Sequence, residues 1–143
     1  MSSDTAVNRK LIVPKSVFDQ VNQHLKSVFP QEGCGFLAGQ QDQCTAFYPI
    51  ENILHSQIAY RMRPDEQIQA LFDMEENAIE PLAIVHSHPH NQAIPSETDL
   101  KEATWPDLFS VIVSLIDLDS PEWHCWLLHK NRSEKAQFLV CND

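Results

Sequence analysis

Glycine is scarce in this 143-residue sequence, at three positions, and with nine prolines, 43% hydrophobic and 21% charged residues the composition excludes collagen-like order and wholesale disorder. Basic residues are outnumbered two to one, 10 Lys and Arg against 20 Asp and Glu for a net charge of -10, and none of them cluster. Neither nucleic acid nor an anionic membrane surface is therefore an expected partner, since both are held chiefly by clustered Lys and Arg. No apolar run approaches bilayer length, and the opening MSSDTAVNRK lacks the apolar core of a signal peptide, so a cytoplasmic location is expected. No C-x-x-C pair occurs among Cys34, Cys44, Cys125 and Cys141, and their apolar surroundings point to buried reduced thiols rather than to a disulfide framework or a zinc knuckle. Without internal repeats or a linker, residues 1–143 read as one domain, with 1–9 a loose polar terminus.

The pattern that is present alternates strands with helices. Leu11 to Val13 predicts an opening strand, and Val17, Val21, Leu25 and Val28 recur at helical spacing between Lys15 and Phe29, with Pro30 as the stop. Cys34 to Ala38 and Ala46 to Ile50 predict a hairpin. The segment 51–63 is irregular, with Asn52 and His55-Ser56 as turn material and Ile58, Tyr60 and Met62 alternating like a strand edge. Pro64 opens a helix to about Ala78 whose apolar face is read as Ile68, Leu71, Phe72 and Ala78. A continuous apolar strand, Pro81 to Val85, then runs into His86-Ser87-His88-Pro89. A short helix begins at Ser96 and ends near Trp105-Pro106, and Phe109 to Ile116, Trp123 to Leu128 and Gln137 to Val140 read as closing strands. The order predicts an α/β fold, a mixed central sheet flanked by helices.

Chemistry concentrates at the end of the fourth predicted strand. His86 and His88 are two apart, so in extended chain both imidazoles point to one side, roughly 7 Å apart at Cα. Two such rings can share a metal, and Asp99, at the start of the following helix, is the evident third ligand of a zinc site that keeps one position open for water. Ser96, one turn earlier, is placed to cap that helix or to donate to a developing oxyanion. A spacing of His-x-His, seven residues, then Ser-x-x-Asp arises by chance on the order of once in several hundred such chains. Two imidazoles and a carboxylate also accept iron or manganese.

The run His86-Ser87-His88-Pro89 through Pro95-Ser96-Glu97-Thr98-Asp99 resembles the signature of the JAMM (MPN+, Mov34/PAD-1) metalloproteases, and Glu32-Gly33-Cys34-Gly35-Phe36-Leu37-Ala38-Gly39 is similar to that family's upstream glutamate segment. The likeness extends over residues 10–140 and is nearest to the small, stand-alone prokaryotic members, of cytidine-deaminase-like architecture. It implies zinc held by His86, His88 and Asp99, with Glu32 as general acid/base on a metal-activated water and Ser96 assisting the tetrahedral intermediate. It also implies a peptidase or isopeptidase that hydrolyses an amide bond at the C-terminal tail of a ubiquitin-like or sulfur-carrier protein. Such a tail is thin and extended, and is expected to lie against a sheet edge as an added strand. With little beyond the minimal domain, selectivity for one ubiquitin-chain linkage is not expected.

The remaining candidates carry plainer expectations. His90 reads as an exposed loop residue, because a fourth protein ligand would close the water position. His24, His55, His124 and His129 have no partner at ligand spacing and read as surface or edge-strand residues. Trp123 and Trp126 read as packing, Gly35 and Gly39 as points of close backbone approach, and Cys34 as a thiol without an activating histidine. Two rivals to the peptidase stand: a non-catalytic MPN scaffold or protein-binding module, and an amidase acting on small molecules.

Overall fold

In the computed structural model, which describes residues 9–103, 105 and 107–143, the chain runs β1 (Lys10–Pro14), α1 (Lys15–Ser27), β2 (Cys34–Gln40), β3 (Gln43–Ile50), α2 (Pro64–Glu76), β4 (Glu80–His88), α3 (Glu97–Lys101), β5 (Phe109–Ser114), β6 (Glu122–His129) and β7 (Arg132–Cys141). The seven strands form one mixed sheet, as expected, and the sheet closes on itself in the order β1-β3-β2-β4-β5-β6-β7. Closure is thin at one seam: β1 meets β3 through Ile12 opposite Gln43 alone, with the Ile12 N–H donating to the Asp42 carbonyl at 2.9 Å. Every strand of the ring has two neighbours, but beyond Gln43 the side of β3 away from β2 has no strand partner among the described residues.

Alternation along β4 sorts the core into two clusters. Ala83 and Val85 point with Leu37, Val111 and Val113 toward α1, which buries Val17, Val21 and Leu25 at one-turn spacing. Ile84 points to the other face, where Phe36, Met62, Ala70 and Met74 pack beneath α2. The expected apolar face of α2 is corrected here: Ile68 and Phe72 are more than half exposed, and the buried stripe is Ala70 and Met74. Small and flexible side chains let the helix lie close to the sheet, and the bulkier pair one row over is left in solvent.

Other differences are local. α2 ends at Glu76, before Ala78, which takes φ 57°. α3 stops at Lys101, well short of Trp105; Pro106 lies outside the described residues, as do residues 1–8 of the expected loose terminus. Arg9 is not loose: its guanidinium pairs with Asp42 at 3.1 Å and sits 4.2 Å from the Phe109 ring centroid. The segment 51–63 forms no strand, only a single bridge between Asn52 and Met62 around a turn in which His55 has φ 47°. Asn52 and Ser56 side chains accept from the N–H groups two residues on, Leu54 and Ile58, and so hold that turn.

The glycines and tryptophans behave as read. A Cβ on Gly35 would lie 2.4 Å from the Tyr48 carbonyl oxygen, and on Gly39 1.9 Å from that of Gln43. Trp123 packs between Phe18 and Phe138, and Trp126 donates to the Ala93 carbonyl. All four cysteines are free thiols, and burial pushes Cys34 up to about 12, Cys44 to about 11 and Cys125 to about 12, far from thiolate chemistry. No helix among the described residues is long and apolar enough to cross a membrane.

Candidate active site

The C-terminal end of β4 carries His86 and His88 on the α2 face, two residues beyond Ile84 on the same side of the strand. On either side β4 is held by β2, with Cys34 opposite His86, and by β5, with Ile112 opposite His86 and Ser114 opposite His88. Between the two histidines Ser87 points the other way, and its hydroxyl accepts from the Gly33 N–H at 2.8 Å. The Ser87 N–H donates to the Gly33 carbonyl at 3.0 Å, so the antiparallel register of Cys34 and His86 continues one residue past β2 and brings Glu32 level with His88.

Asp99 arrives from α3 through a reciprocal cap. The Ser96 hydroxyl accepts from the Asp99 N–H at 3.0 Å, and the Asp99 carboxylate accepts from the Ser96 N–H at 2.9 Å. The same carboxylate faces both imidazoles, with Oδ1 3.3 Å from His86 Nε2 and Oδ2 3.2 Å from His88 Nε2. The two Nε2 atoms are themselves 3.3 Å apart.

These separations fit a metal ion: the two that end on Asp99 end on different oxygens, and one ligand atom from each of the three residues lies within 4.8 Å of the others. Four-coordinate zinc with bonds of about 2.0–2.1 Å spaces its ligand atoms by roughly 3.3–3.4 Å. Proton accounting leads to the same answer. His88 Nδ1 lies 2.8 Å from the Gln92 carbonyl, an acceptor only, so that nitrogen carries the hydrogen and neutral His88 turns a lone pair toward the triangle. The Asp99 carboxylate and a second imidazole then point further lone pairs at the same place. His86, His88 and Asp99 are the group among the described residues able to hold an ion in this way, and His86 and His88 are buried.

The local fields follow from this convergence. Burial works against an ionised Asp99, but hydrogen bonds to His86 and His88 outweigh it and hold the carboxyl well below the usual carboxylate range. For His88 burial favours the neutral ring, yet the hydrogen bonds to Asp99 and to the Gln92 carbonyl prevail and raise it. Glu32 is the opposite case. It is 5% exposed, its Oε1 has no partner, and burial pushes the carboxyl up to about 8, with His88 opposing and Asp99 reinforcing.

Of the residues singled out in the sequence, the structure brings His86, His88 and Asp99 together, sets Glu32 alongside His88, and makes Ser96 the cap that aims Asp99. His90 is exposed and turned away to Gln57 at 3.0 Å. The Cys34 thiol donates to the Ile50 carbonyl. His24 is half-buried against Phe47 with an unpartnered Nε2, so its reading as a surface residue is corrected. Two contributors were not foreseen. Tyr60 stacks on His86 at a centroid distance of 4.7 Å, and Gln92 fixes the His88 tautomer through its backbone, which no side-chain pattern encodes. A cavity of about 210 Å³ opens beside the triangle, walled by Tyr60, Met62, Ile84, His86, Asp99 and Trp105.

Comparison with known proteins agrees with this architecture. The family described as prokaryotic homologs of the JAB domain matches residues 14–129. The CysO-cysteine peptidase of Mycobacterium tuberculosis is 35% identical over 109 residues, 75% of each chain. The desampylase of Pyrococcus furiosus is 32% identical over 111 residues, 76% of each. The solution structure of a protein from Desulfitobacterium hafniense superimposes with a TM-score of 0.85 at 28% identity, over 94% of both chains. The fold, the His-His-Asp triangle and these relatives lead to one assignment: the chain belongs to the prokaryotic JAB family.

Proposed function

We propose that this protein is a zinc-dependent peptidase that hydrolyses an amide bond at the C-terminal tail of a ubiquitin-like or sulfur-carrier protein. The observation that carries the reading is the convergence of His86, His88 and Asp99 on one point with edges of 3.2–3.3 Å. The substrate class follows the names of the relatives, a CysO-cysteine peptidase and a desampylase.

His86, His88 and Asp99 would hold the ion, and zinc bound there would supply a water of lowered pKa and polarise the scissile carbonyl. Glu32 takes the proton of the attacking water and returns it to the leaving amine. A buried carboxyl with an unpartnered oxygen, level with His88, is placed to move a proton in both directions. Ser96 accepts in the cap and keeps its own hydroxyl proton free, so it donates to the carbonyl oxygen as negative charge develops. For the tail, extended backbone is offered by the segment beside the cavity. Arg61 and Ala59 spend their polar groups inward on Asn52 and Ile53, whereas the Tyr60 N–H and carbonyl make no bond among the described residues and can pair with an added strand.

The test uses the zinc-loaded protein and a sulfur-carrier protein extended beyond a terminal Gly-Gly by one residue, with products read by intact mass. Cleavage after Gly-Gly by the wild type is expected, together with retention of about one zinc and loss of hydrolysis in Glu32→Ala. Full activity in that variant refutes the role of Glu32. A zinc-loaded wild type inert on the carrier and on short amides, yet retaining a protein partner, shows a scaffold instead.

A further inference from the structure

Asn52 lies in the segment 51–63, touches none of the three proposed ligands, and is 6% exposed. Its amide can donate twice and accept twice, and all four positions are used. Nδ2 donates to the Glu32 carbonyl at 2.9 Å and to the Ala59 carbonyl at 3.1 Å. Oδ1 accepts from the Leu54 N–H at 3.0 Å and from the Arg61 N–H at 3.0 Å. The Glu32 N–H donates to the Ser56 carbonyl at 2.8 Å, so both backbone groups of Glu32 are held by this one segment. The segment also carries Tyr60, whose ring lies on His86.

We propose that Asn52 is a positioning residue that sets the Glu32 carboxylate against the His86–His88–Asp99 triangle through one donor N–H, and holds the Tyr60 segment that receives substrate on both sides of Tyr60, with its other donor on Ala59 and its acceptor oxygen on Arg61. The inference rests on the hydrolytic reading above. Glu32 precedes β2 and lies outside the regular ladder, so the strand alone does not fix its peptide; the Asn52 amide and the Ser56 carbonyl do. Displacements of about 1 Å in a proton-transferring group cost on the order of 100-fold in rate, so one bond of this kind is enough to matter.

The two halves of the side chain are separable. Asn52→Asp keeps an oxygen facing Leu54 and Arg61 but turns another toward the carbonyl oxygens of Glu32 and Ala59, where donors stood. With zinc retained, kcat on the extended carrier protein is expected to fall about 10- to 100-fold, with a smaller rise in KM than in Asn52→Ser, because the Ala59 bond is lost and the Arg61 bond kept. Asn52→Ser withdraws from all four partners and is expected to lower kcat and raise KM together. Lys15→Ala is the control: it breaks only an exposed ion pair to Asp19 on α1, outside the site, and is expected to change neither constant. A second readout, independent of turnover, is the ¹³C carboxyl resonance of Glu32 at fixed pH in the zinc-loaded protein, assigned by its disappearance in Glu32→Gln. It should move in Asn52→Asp and stay in Lys15→Ala.

A kcat within twofold of wild type in Asn52→Asp, or an unmoved Glu32 resonance, overturns the inference, and so does unfolding of both Asn52 variants, which would make the residue merely structural. If the wild type itself hydrolyses nothing, the functional reading fails, and the Glu32 resonance alone then decides whether Asn52 positions that carboxylate.

Discussion

Glu32→Gln should make the metal-free protein more stable at neutral pH while removing its activity. Glu32 is 5% exposed with one carboxylate oxygen unpartnered, and its folded pKa of about 8 stands far above the ordinary 4.5. For an acid raised on folding, the native state binds the proton more tightly than the unfolded chain. The contribution is therefore intact below about pH 4.5 and is lost progressively as pH rises toward 8. At about 1.4 kcal/mol per pH unit, the wild type has lost roughly 3 kcal/mol by pH 7 relative to acid conditions. Glutamine fills the same space without titrating, so the variant should exceed the wild type by about 2–3 kcal/mol at pH 7, or on the order of 10 °C in Tm for a chain of this length. The gap should close near pH 4.5. Urea unfolding of both proteins in chelator, at pH 5 and pH 7.5, measures it. Parallel stabilities at the two pH values, or a less stable variant at pH 7.5, would refute the claim that Glu32 is an unsatisfied buried acid.

Zinc at about a hundredfold excess over its Kd should raise wild-type stability by about 2.7 kcal/mol, and His88→Ala should lose most of that increment; a zinc-induced Tm shift of equal size in both proteins would place the ion elsewhere. Ser96→Ala should cost about 1 kcal/mol through the broken cap and, at saturating zinc, lower kcat by about 10- to 100-fold; an unchanged kcat would leave Ser96 as a cap alone. Gly35→Ala forces a methyl to within 2.4 Å of the Tyr48 carbonyl and should destabilise by about 3 kcal/mol in chemical unfolding; a near-neutral result would mean that β3 can shift away from β2.

The sequence announced what depends on short-range spacing. His86 and His88 two apart on a strand, and Ser96 three before Asp99 at a helix start, encode their geometry locally, because strand alternation and the capping box are local rules. Closure of the sheet was not legible, since it rests on β1 pairing with β7 across more than a hundred residues and with β3 through a single pair. The buried side of α2 was misread because Ile68 and Phe72 outweigh Ala70 and Met74 in hydrophobicity, while the close approach of helix to sheet selects for size. Glu32 was placed by family resemblance alone: nothing in its neighbours shows that a register set by Cys34 and His86 carries it to His88. Asn52 looked like turn material, and it does hold the turn, but one of its donors reaches Glu32, a contact twenty residues away that no local pattern encodes.

Where polar groups go unpaired is itself an argument about function. Among the described residues, the buried side-chain atoms without partners are His24 Nε2, Glu32 Oε1 and His86 Nδ1, and two of the three belong to one site. Each unpaired buried group costs about 1–3 kcal/mol, so a fold selected for stability alone would be expected to pair or replace them. His88 follows the usual arrangement for a histidine that offers Nε2, with Nδ1 bound to a backbone carbonyl. His86 does not: its orientation is set by the Tyr60 ring stacked on it, and its Nδ1 is left without a bond. Stacking fixes the ring plane but not the tautomer, so the choice of which His86 nitrogen carries the hydrogen falls to what Nε2 meets. Without an ion, Asp99 Oδ1 at 3.3 Å favours the hydrogen on Nε2; a cation bound at the triangle would take the Nε2 lone pair and place the hydrogen on Nδ1. The same reasoning predicts that a Tyr60→Ala chain binds zinc less tightly, because the ring that pre-orders His86 is gone although no ligand atom has been touched, and a titration of zinc against a chelating competitor would show an unchanged affinity if that reasoning is wrong.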